Sequence, residues 1–279
     1  METQPDFMTY FTYRNGELHA EDVPLRTLAE RYGTPLYVYS RTVMRQQFER
    51  LTRALADIRP LICYSVKANS NRAVLRLFAD LGAGFDVVSG GELYRLREAG
   101  IPAGKVVFAG VGKREDEISY ALNEGILFFT VESEAEVRMI ARAARRLGKK
   151  ARIAFRVNPG VDPKTHTYIT TGKKENKFGM DIERVKRAGS EAATLPEVEL
   201  VGLHMHIGSQ ILDPAPYGEA LCQILPLVRE WKGRYPTFRW LDIGGGLGIQ
   251  YRPEQEPMNT ARFAEMVVPL LRMEGVEVV

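Results

Sequence analysis

Apolar, β-prone runs recur along the chain from residue 61 onward, and amphipathic, helix-like stretches separate them. The runs cover residues 61–66, 85–88, 106–109, 127–131, 153–157, 200–206, 238–243 and 276–279. Helices are predicted at residues 72–81, 91–99, 116–123, 134–147, 182–193, 217–234 and 260–273. Several helices are followed by a glycine that can take the left-handed conformation of a helix C-terminus. These glycines are Gly82, Gly100, Gly125, Gly148 and Gly275.

Eight strands separated by seven helices predict a parallel sheet that closes into a (β/α)8 barrel, an α/β fold. The alternative is an open doubly wound sheet, which would have fewer units and a dinucleotide fingerprint after its first strand. The sequence has no such fingerprint there. A strand-like run at residues 36–39 and a helix-like stretch at residues 43–58 come before the first barrel strand. We therefore predict an N-terminal segment, residues 1–40, that belongs to a second β-domain, and a barrel at residues 41–279 that ends at strand eight.

Composition and charge exclude several classes of protein. The sequence has 279 residues, of which 45% are hydrophobic, so it can bury a sizeable core. Its 38 basic and 35 acidic residues are interspersed, and without a basic stripe we expect no nucleic-acid partner. It contains neither a membrane-span pattern nor a signal-peptide pattern, which predicts a cytoplasmic protein with no membrane partner. Cys63 and Cys222 are too few for a disulfide framework or a cysteine-rich zinc site, and both are predicted to be small buried residues.

Polar residues with chemical potential follow several of the predicted strands. In barrels of this kind, the functional groups gather at the C-terminal ends of the strands. Lys67 follows the first strand; it is either a nucleophile with a lowered pKa in a partly desolvated pocket, or a strand-end lysine that reaches water. The other candidates are Asp86 and Ser89 at the second strand, Arg156 and Asn158 at the fifth, His204, His206 and Ser209 at the sixth, and Gly244, Gly245 and Gly246 after the seventh.

Each of these groups has a structural alternative. The triple glycine is either a tight turn or a cradle of backbone N–H groups for phosphate, and its position after strand seven favours the cradle. His204 and His206 face the same side of the sheet and could suggest a metal pair, but no third ligand is evident, so no metal is predicted. One of the two is then expected to be a buried histidine whose hydrogen bonds are satisfied, and the other to be a pocket histidine whose flat ring can pack on the aromatic face of a ligand. Arg156 in an apolar strand needs an anion or a carboxylate, which favours a pocket role.

A phosphorylated aromatic cofactor that is held as an imine by a lysine would use all of these groups. Such a cofactor needs a lysine, a stacking ring, an arginine, and a glycine cradle with a hydroxyl group for its phosphate. Pyridoxal 5'-phosphate meets this description, and it acts as an electron sink for a carbanion. The residues alone therefore favour a barrel enzyme that depends on pyridoxal phosphate.

The chain resembles the diaminopimelate decarboxylases, within the fold-type III pyridoxal-phosphate enzymes, over nearly its whole length. The matching motifs, in chain order, are GTPLYVY (33–39), YSVKAN (64–69), FDVVS (85–89), GEL (91–93), RVNPG (156–160), HTYITTG (166–172), KFG (177–179), HMHIGSQ (204–210) and DIGGG (242–246). The motifs at 166–172 and 177–179 are shared with diaminopimelate decarboxylases more than with ornithine decarboxylases. The resemblance therefore favours diaminopimelate as the substrate.

The resemblance implies a role for each site residue. Lys67 would bind the cofactor covalently, and His206 would stack on its ring. Ser209, with Gly244, Gly245 and Gly246, would bind the phosphate. Asp86 and Arg156 would lie in the cofactor pocket. The implied reaction converts meso-2,6-diaminopimelate to L-lysine and carbon dioxide, the last step of lysine biosynthesis, and the family forms head-to-tail homodimers.

The sequence lacks two parts that the family pattern includes. The family continues after strand eight with a Glu-Pro-Gly-Arg motif and then with a β-domain that carries a Cys-Glu-Ser motif. We therefore expect this chain alone to be inactive, and we expect it to be a piece of a longer enzyme, because an uncovered eighth strand would expose apolar surface. The competing functions are decarboxylation of another basic amino acid and cofactor binding without catalysis. Alanine racemase is disfavoured because its motifs around the histidine and the triple glycine differ.

Overall fold

The structure is a computed structural model that describes residues 10–162, 178–252 and 254–279. The chain divides into two compact units, Met1–Leu51 and Thr52–Val279. The predicted domain limits, residues 1–40 and 41–279, stay a prediction.

The described part of the first unit contains a small antiparallel sheet and a short helix. Its strands are β1 (Phe11–Arg14), β2 (Glu17–Ala20) and β3 (Val23–Pro24), and the helix is α1 (Leu25–Tyr32). A two-residue turn of Asn15 and Gly16, with φ of 52° and 80°, joins β1 to β2, as the twist of a tight hairpin requires. The strand predicted at residues 36–39 is wrong: these residues have no strand partner in the described part of the chain.

The second unit contains the parallel sheet. Its strands are β4 (Cys63–Ser65), β5 (Gly84–Val87), β6 (Val106–Phe108), β7 (Phe128–Val131), β8 (Ala151–Arg156), β9 (Val198–His204), β10 (Trp240–Asp242) and β11 (Glu277–Val278). They lie in the order of the chain and pair in parallel. Leu61 N, just before β4, donates a hydrogen bond of 2.8 Å to Val278 O in β11 and so joins the two ends of the sheet. The predicted (β/α)8 barrel is confirmed.

Helices cover the outside of this sheet, as the sequence pattern predicts. These helices are α3 (Arg72–Asp80), α4 (Gly90–Glu98), α5 (Glu115–Glu124), α6 (Glu134–Leu147), α7 (Ile182–Ala192), α8 (Ala215–Arg234) and α9 (Thr260–Arg272). A further helix, α2 (Arg41–Ala54), spans the limit between the two units. The limits of α3–α9 and of the barrel strands lie within two residues of the predicted ones. The five predicted terminating glycines have φ between 59° and 89°, so their role is confirmed. Within the described residues, no helix combines the length and the apolar character that a membrane span needs.

The two cysteines are free, and they differ in burial. Cys63 is half-buried and packs against a core cluster that includes Val107, Phe128 and Val201. Cys222 is exposed, so the prediction that both cysteines are buried is wrong for Cys222. The reason is helical spacing: α8 buries Leu221 and Leu225, and the residue after Leu221 turns away from that face.

We expect Gly202→Ala to destabilise the barrel by about 1–3 kcal/mol. Gly202 lies in β9 opposite Trp240 of β10, and an added Cβ would lie 2.5 Å from Trp240 O, so the two strands would have to separate. Urea unfolding followed by circular dichroism measures the change. Gly104→Ala is the matched control, because its Cβ would meet nothing within 4 Å. Equal stability of the two variants would contradict the prediction.

Candidate active site

Lys67 lies just beyond the C-terminal end of β4. The strand ends at Ser65, and the short 3-10 turn Val66–Ala68 carries the lysine past it. Val66 is fully buried and anchors this turn, whereas Lys67 is exposed. The predicted strand-end position of Lys67 is therefore confirmed.

Asp86 shares its surroundings with Lys67. It lies in β5 opposite Ser65 of β4, and Ser65 Oγ donates a hydrogen bond of 2.8 Å to Asp86 Oδ2. Burial raises the pKa of Asp86, and the Ser65 hydrogen bond and the charges of Lys67 and Arg156 oppose this shift. The barrel therefore brings Lys67, Asp86 and Arg156, three of the predicted site residues, into one electrostatic environment.

Two other polar candidates have local structural partners. Ser89 Oγ accepts a hydrogen bond of 3.2 Å from Glu92 N at the start of α4, and Glu92 Oε2 accepts one of 2.9 Å from Val88 N. Ser89 is thus the N-cap of α4. Asn158 Oδ1 accepts a hydrogen bond of 2.9 Å from Gly160 N and shapes the loop after β8.

Arg156 has the carboxylate partner that its position in an apolar strand demands. Its Nη1 donates to Glu132 Oε1 at 2.8 Å, and only 13% of the arginine side chain is exposed. The Phe178 ring lies on the guanidinium, with its centroid 5.2 Å from Cζ. Glu132 Oε2 also accepts a hydrogen bond of 2.9 Å from Gly179 N. Arg156 is therefore held by a carboxylate and an aromatic ring.

A buried lysine, Lys113, is connected to Glu132 through the carboxylate of Glu136. The Lys113 side chain is fully buried, and its Nζ donates to Glu136 Oε1 at 2.6 Å, to Thr130 O at 2.6 Å and to Gly110 O at 2.7 Å. Burial lowers the pKa of Lys113, and the Glu136 carboxylate opposes that shift. Glu136 Oε2 accepts a hydrogen bond of 2.8 Å from Glu132 N. A continuous chain of contacts therefore runs from Lys113 through Glu136 and Glu132 to Arg156.

Lys113, Glu132 and Glu136 were missing from the residues that the sequence pattern singled out. Glu132 directly follows β7, and Lys113 lies in the loop after β6. The strand-end rule that identified Lys67, applied also to the third and fourth strands, would have found these two residues. Glu136 lies in the first turn of α6 and carries no comparable signal in the sequence.

His206 presents a neutral ring at the end of the sixth barrel strand. Burial lowers its pKa to about 4, and the charges of Arg156 and Lys67 act in the same direction. Gly245 N donates a long hydrogen bond of 3.4 Å to His206 Nδ1. At neutral pH, His206 therefore offers an uncharged aromatic face beside the triple glycine.

His204 and Asp242 lie deeper, with His204 Nε2 at 3.9 Å from Asp242 Oδ1. Burial lowers the pKa of His204 well below its ordinary value, and burial raises the pKa of Asp242 to about 8. Both groups are mainly neutral at pH 7, so their proximity is not an ion pair. Among the described residues, His204 Nδ1 has no hydrogen-bond partner. The prediction of a satisfied buried histidine is therefore wrong for His204.

The triple glycine forms a loop that packs tightly on the segment after β9. Gly244 and Gly246 have φ of 72° and 97°. A Cβ at Gly244 would collide with Met205 O, and a Cβ at Gly246 would collide with Gly208 O. The close approach of the two backbones therefore requires glycine at both positions.

Hydrogen bonds join this glycine loop to the segment that carries Ser209. Ile211 N donates to Gly246 O at 2.9 Å, and Gly248 N donates to Ile211 O at 2.8 Å. The Gln210 side-chain amide bonds to both backbone groups of Ile249. Ser209 is exposed at the top of this paired segment. The structure thus brings together His206, Ser209 and the three glycines, whereas the predicted motif at 166–172 and Lys177 lie outside the described residues.

A family model matches most of the chain. Residues 41–276 match the model described as "Pyridoxal-dependent decarboxylase, pyridoxal binding domain". The matched range includes all of the predicted cofactor-site residues, from Lys67 to Gly246.

Individual relatives are similar along nearly the whole chain. The sequence is 48% identical over 271 residues to the diaminopimelate decarboxylase of Aquifex aeolicus (strain VF5), covering 97% of this chain and 64% of that protein. The crystal structure of diaminopimelate decarboxylase from Helicobacter pylori complexed with L-lysine has a TM-score of 0.86 and 38% identity, over 91% of this chain and 64% of that one. The lysine decarboxylase from Selenomonas ruminantium has a TM-score of 0.77 and 26% identity, over the same shares. The chain spans less than two thirds of the length of each.

Lys113→Met is expected to destabilise the protein by about 3–5 kcal/mol, because it leaves the Glu136 carboxylate buried without its cation. The double variant Lys113→Met/Glu136→Gln should cost less than the sum of the two single changes. Urea unfolding of the four proteins gives this double-mutant cycle. Lys186→Ala, which breaks an exposed pair with Glu183, is the control and should leave the unfolding midpoint unchanged. Additive effects of the two buried changes would rule out the coupling.

Asp242 should make the protein less stable as pH rises. Its pKa in the folded chain is about 8 against an ordinary 3.8, so the folded state holds the proton more tightly. The stability from this group is complete below pH 3.8 and is lost as pH rises toward 8, by at most about 1.4 kcal/mol per pH unit. Thermal unfolding of the wild type and of Asp242→Asn at pH 5 and pH 8 measures it. The wild type should lose more stability than the variant; parallel losses would disprove the assignment.

Proposed function

Because this chain belongs to the pyridoxal-dependent decarboxylases through their pyridoxal binding domain, we propose that it binds pyridoxal 5'-phosphate and takes part in the decarboxylation of meso-2,6-diaminopimelate to L-lysine and carbon dioxide. The observation that carries the proposal is the convergence of Lys67, His206 and the glycine loop at the C-terminal ends of β4, β9 and β10. These three groups match the aldehyde, the ring and the phosphate of the cofactor.

The chemistry of the site fits this cofactor. A Cβ at Gly245 would meet nothing within 4 Å, so this side of the glycine loop is open, and the absence of a side chain leaves its backbone accessible to a phosphate. His206 is neutral, and a neutral flat ring can stack on a pyridine without adding charge. Lys67 and Arg156 supply positive charge that favours an anionic ligand. Ser209 adds a hydroxyl beside the loop.

Each residue of the site receives one task under this proposal. Lys67 would hold the cofactor covalently through its amine. His206 covers one face of the ring, and Ser209 with Gly244, Gly245 and Gly246 holds the phosphate. When bound, pyridoxal phosphate supplies an aldehyde for the amine and a conjugated ring that accepts the electron pair left by carbon dioxide.

Asp86 and Arg156 complete the pocket from the second and fifth barrel strands. Arg156 is oriented by Glu132 and Phe178, so its positive charge is fixed in place. That charge favours the neutral form of His206 and the ionised form of Asp86. The two residues therefore tune the charge around the cofactor.

The choice of substrate is supported by the similarity to diaminopimelate decarboxylases. The Helicobacter pylori relative was crystallised with L-lysine, which is the product of the proposed reaction. Decarboxylation of another basic amino acid is the second candidate, and the structural similarity to the Selenomonas ruminantium lysine decarboxylase supports it at a lower identity. Cofactor binding without catalysis is the third. The homodimer and the cytoplasmic location stay predictions.

Borohydride reduction in the presence of pyridoxal 5'-phosphate should fix the cofactor on the peptide that contains Lys67. Lys67→Ala should abolish this labelling, because it removes the amine, and Lys186→Ala should retain it. Peptide mass mapping makes the measurement. Labelling of the wild type at another lysine would contradict the assignment of Lys67.

The substrate is tested by carbon dioxide release from the protein purified from its natural source. We expect release from meso-2,6-diaminopimelate and none from lysine, ornithine or arginine. Release only from one of the other three amino acids would support the second candidate. Labelling at Lys67 without turnover of any of the four would support the non-catalytic alternative.

A further inference from the structure

Two buried side chains hold successive residues of the glycine loop. The fully buried Tyr217, near the start of α8, donates a hydrogen bond of 2.8 Å from its hydroxyl to Gly245 O. Asp242, at the end of β10, accepts one of 2.8 Å from Gly244 N at its Oδ1. One contact comes from the helix layer and the other from the barrel strand. The loop is therefore fixed from two different elements.

The Tyr217 contact sets the direction of a neighbouring N–H group. A trans peptide unit is planar, so its C=O and its N–H point in opposite directions. Gly245 O and Gly246 N belong to the same peptide unit. Because Tyr217 draws Gly245 O toward the buried helix, the Gly246 N–H is turned away from that helix.

The groups turned outward are unpaired donors. In the described part of the chain, neither the Gly246 N–H nor the Ser209 hydroxyl has a hydrogen-bond partner. The Gly246 carbonyl, by contrast, accepts from Ile211 N at 2.9 Å. A loop of three glycines has unusual backbone freedom, so this orientation needs an outside contact to hold it.

We propose that Tyr217 is a positioning residue for phosphate recognition: its hydroxyl fixes the Gly245–Gly246 peptide so that the Gly246 N–H faces the phosphate group of a bound ligand. Asp242 fixes the adjoining residue, Gly244, from the strand side. The inference rests on the proposed function, because it takes a phosphorylated cofactor as the ligand. Tyr217 itself does not touch that ligand.

Tyr217 is suited to this task. Burial raises the pKa of its hydroxyl, which therefore stays protonated and can donate. The Phe263 ring packs against it edge-on, with the ring centroids 5.0 Å apart at 82°. This ring contact survives when tyrosine is replaced by phenylalanine. Tyr217→Phe therefore removes the hydrogen bond and little else.

The test compares two ligands that differ only in the phosphate. We expect Tyr217→Phe to weaken binding of pyridoxal 5'-phosphate by about three- to tenfold, the value of one hydrogen bond. Binding of pyridoxal, which lacks the phosphate, should change less than twofold, within the error of such a comparison. Equilibrium absorbance titrations of wild type and variant give both affinities.

Tyr235→Phe is the matched control. Tyr235 lies at the C-terminal end of the same helix, and its buried hydroxyl has no hydrogen-bond partner among the described residues. This variant should bind both ligands as the wild type does. A loss in the control equal to that in Tyr217→Phe would show that helix packing alone is responsible, and would overturn the inference.

The remaining outcomes are also decisive. Equal losses for both ligands in Tyr217→Phe, or no loss, would overturn the positioning role while leaving the proposed function intact. Failure of the wild type to bind pyridoxal 5'-phosphate would overturn the proposed function, and the inference with it. If Tyr217→Phe fails to fold, a crystal structure of the wild type with pyridoxal 5'-phosphate decides instead. The inference requires the Tyr217 hydroxyl on Gly245 O and the Gly246 N–H within hydrogen-bond distance of a phosphate oxygen, and an N–H that points elsewhere would overturn it.

Discussion

The buried ion pair between Lys113 and Glu136 is the interaction on which the polar end of the barrel depends. An ammonium group in a protein interior is tolerated only when its charge and its three donors are all paired. Here the partners are one carboxylate and two backbone carbonyls, which come from the loop after β6, the end of β7 and the start of α6. One side chain therefore fixes three segments relative to one another. The free carboxylate oxygen of Glu136 then fixes Glu132, and Glu132 fixes Arg156.

The charge on Arg156 reaches further than its direct contacts. It lowers the pKa of His206 and of His204, and it opposes the rise in the pKa of Asp86 and of Asp242. Moving the guanidinium would therefore shift the pKa values of four groups together, although burial is the largest cause of each shift. The result is a site with two neutral imidazoles and with cations at its mouth, an environment that suits an anionic ligand with a flat ring. Burial and the position of one ion chain thus act together on the charge of the site.

The periodicity of apolar residues was sufficient to predict the barrel, because strands buried on both faces and helices with one buried face leave different patterns. The same rule failed at residues 36–39, where the run is β-prone but has no strand partner in the described chain. Local pattern reports what a segment can form, and pairing decides whether it does. The prediction that Cys222 is buried failed for a related reason, since the type of a residue says less about its burial than its position on the helix does. The strand-end residues Lys67, Asp86 and His206 were predictable because barrel topology fixes where strand ends meet.

The contacts that side chains of the surrounding helices make with the site could not be predicted in this way. Tyr217 belongs to the outer helix layer and meets Gly245 only because α8 begins beside the loop after β10. Its buried tyrosine ring is indistinguishable in sequence from an ordinary core residue, and only the position of the hydroxyl reveals its use. The role of Glu136 was also hidden in the sequence, because its hydrogen-bond partner, Lys113, lies 23 residues earlier in the chain. In a barrel, each helix begins beside the strand ends that carry the chemistry, so a core side chain in its first turn can hold a backbone group in the site while it also packs in the core.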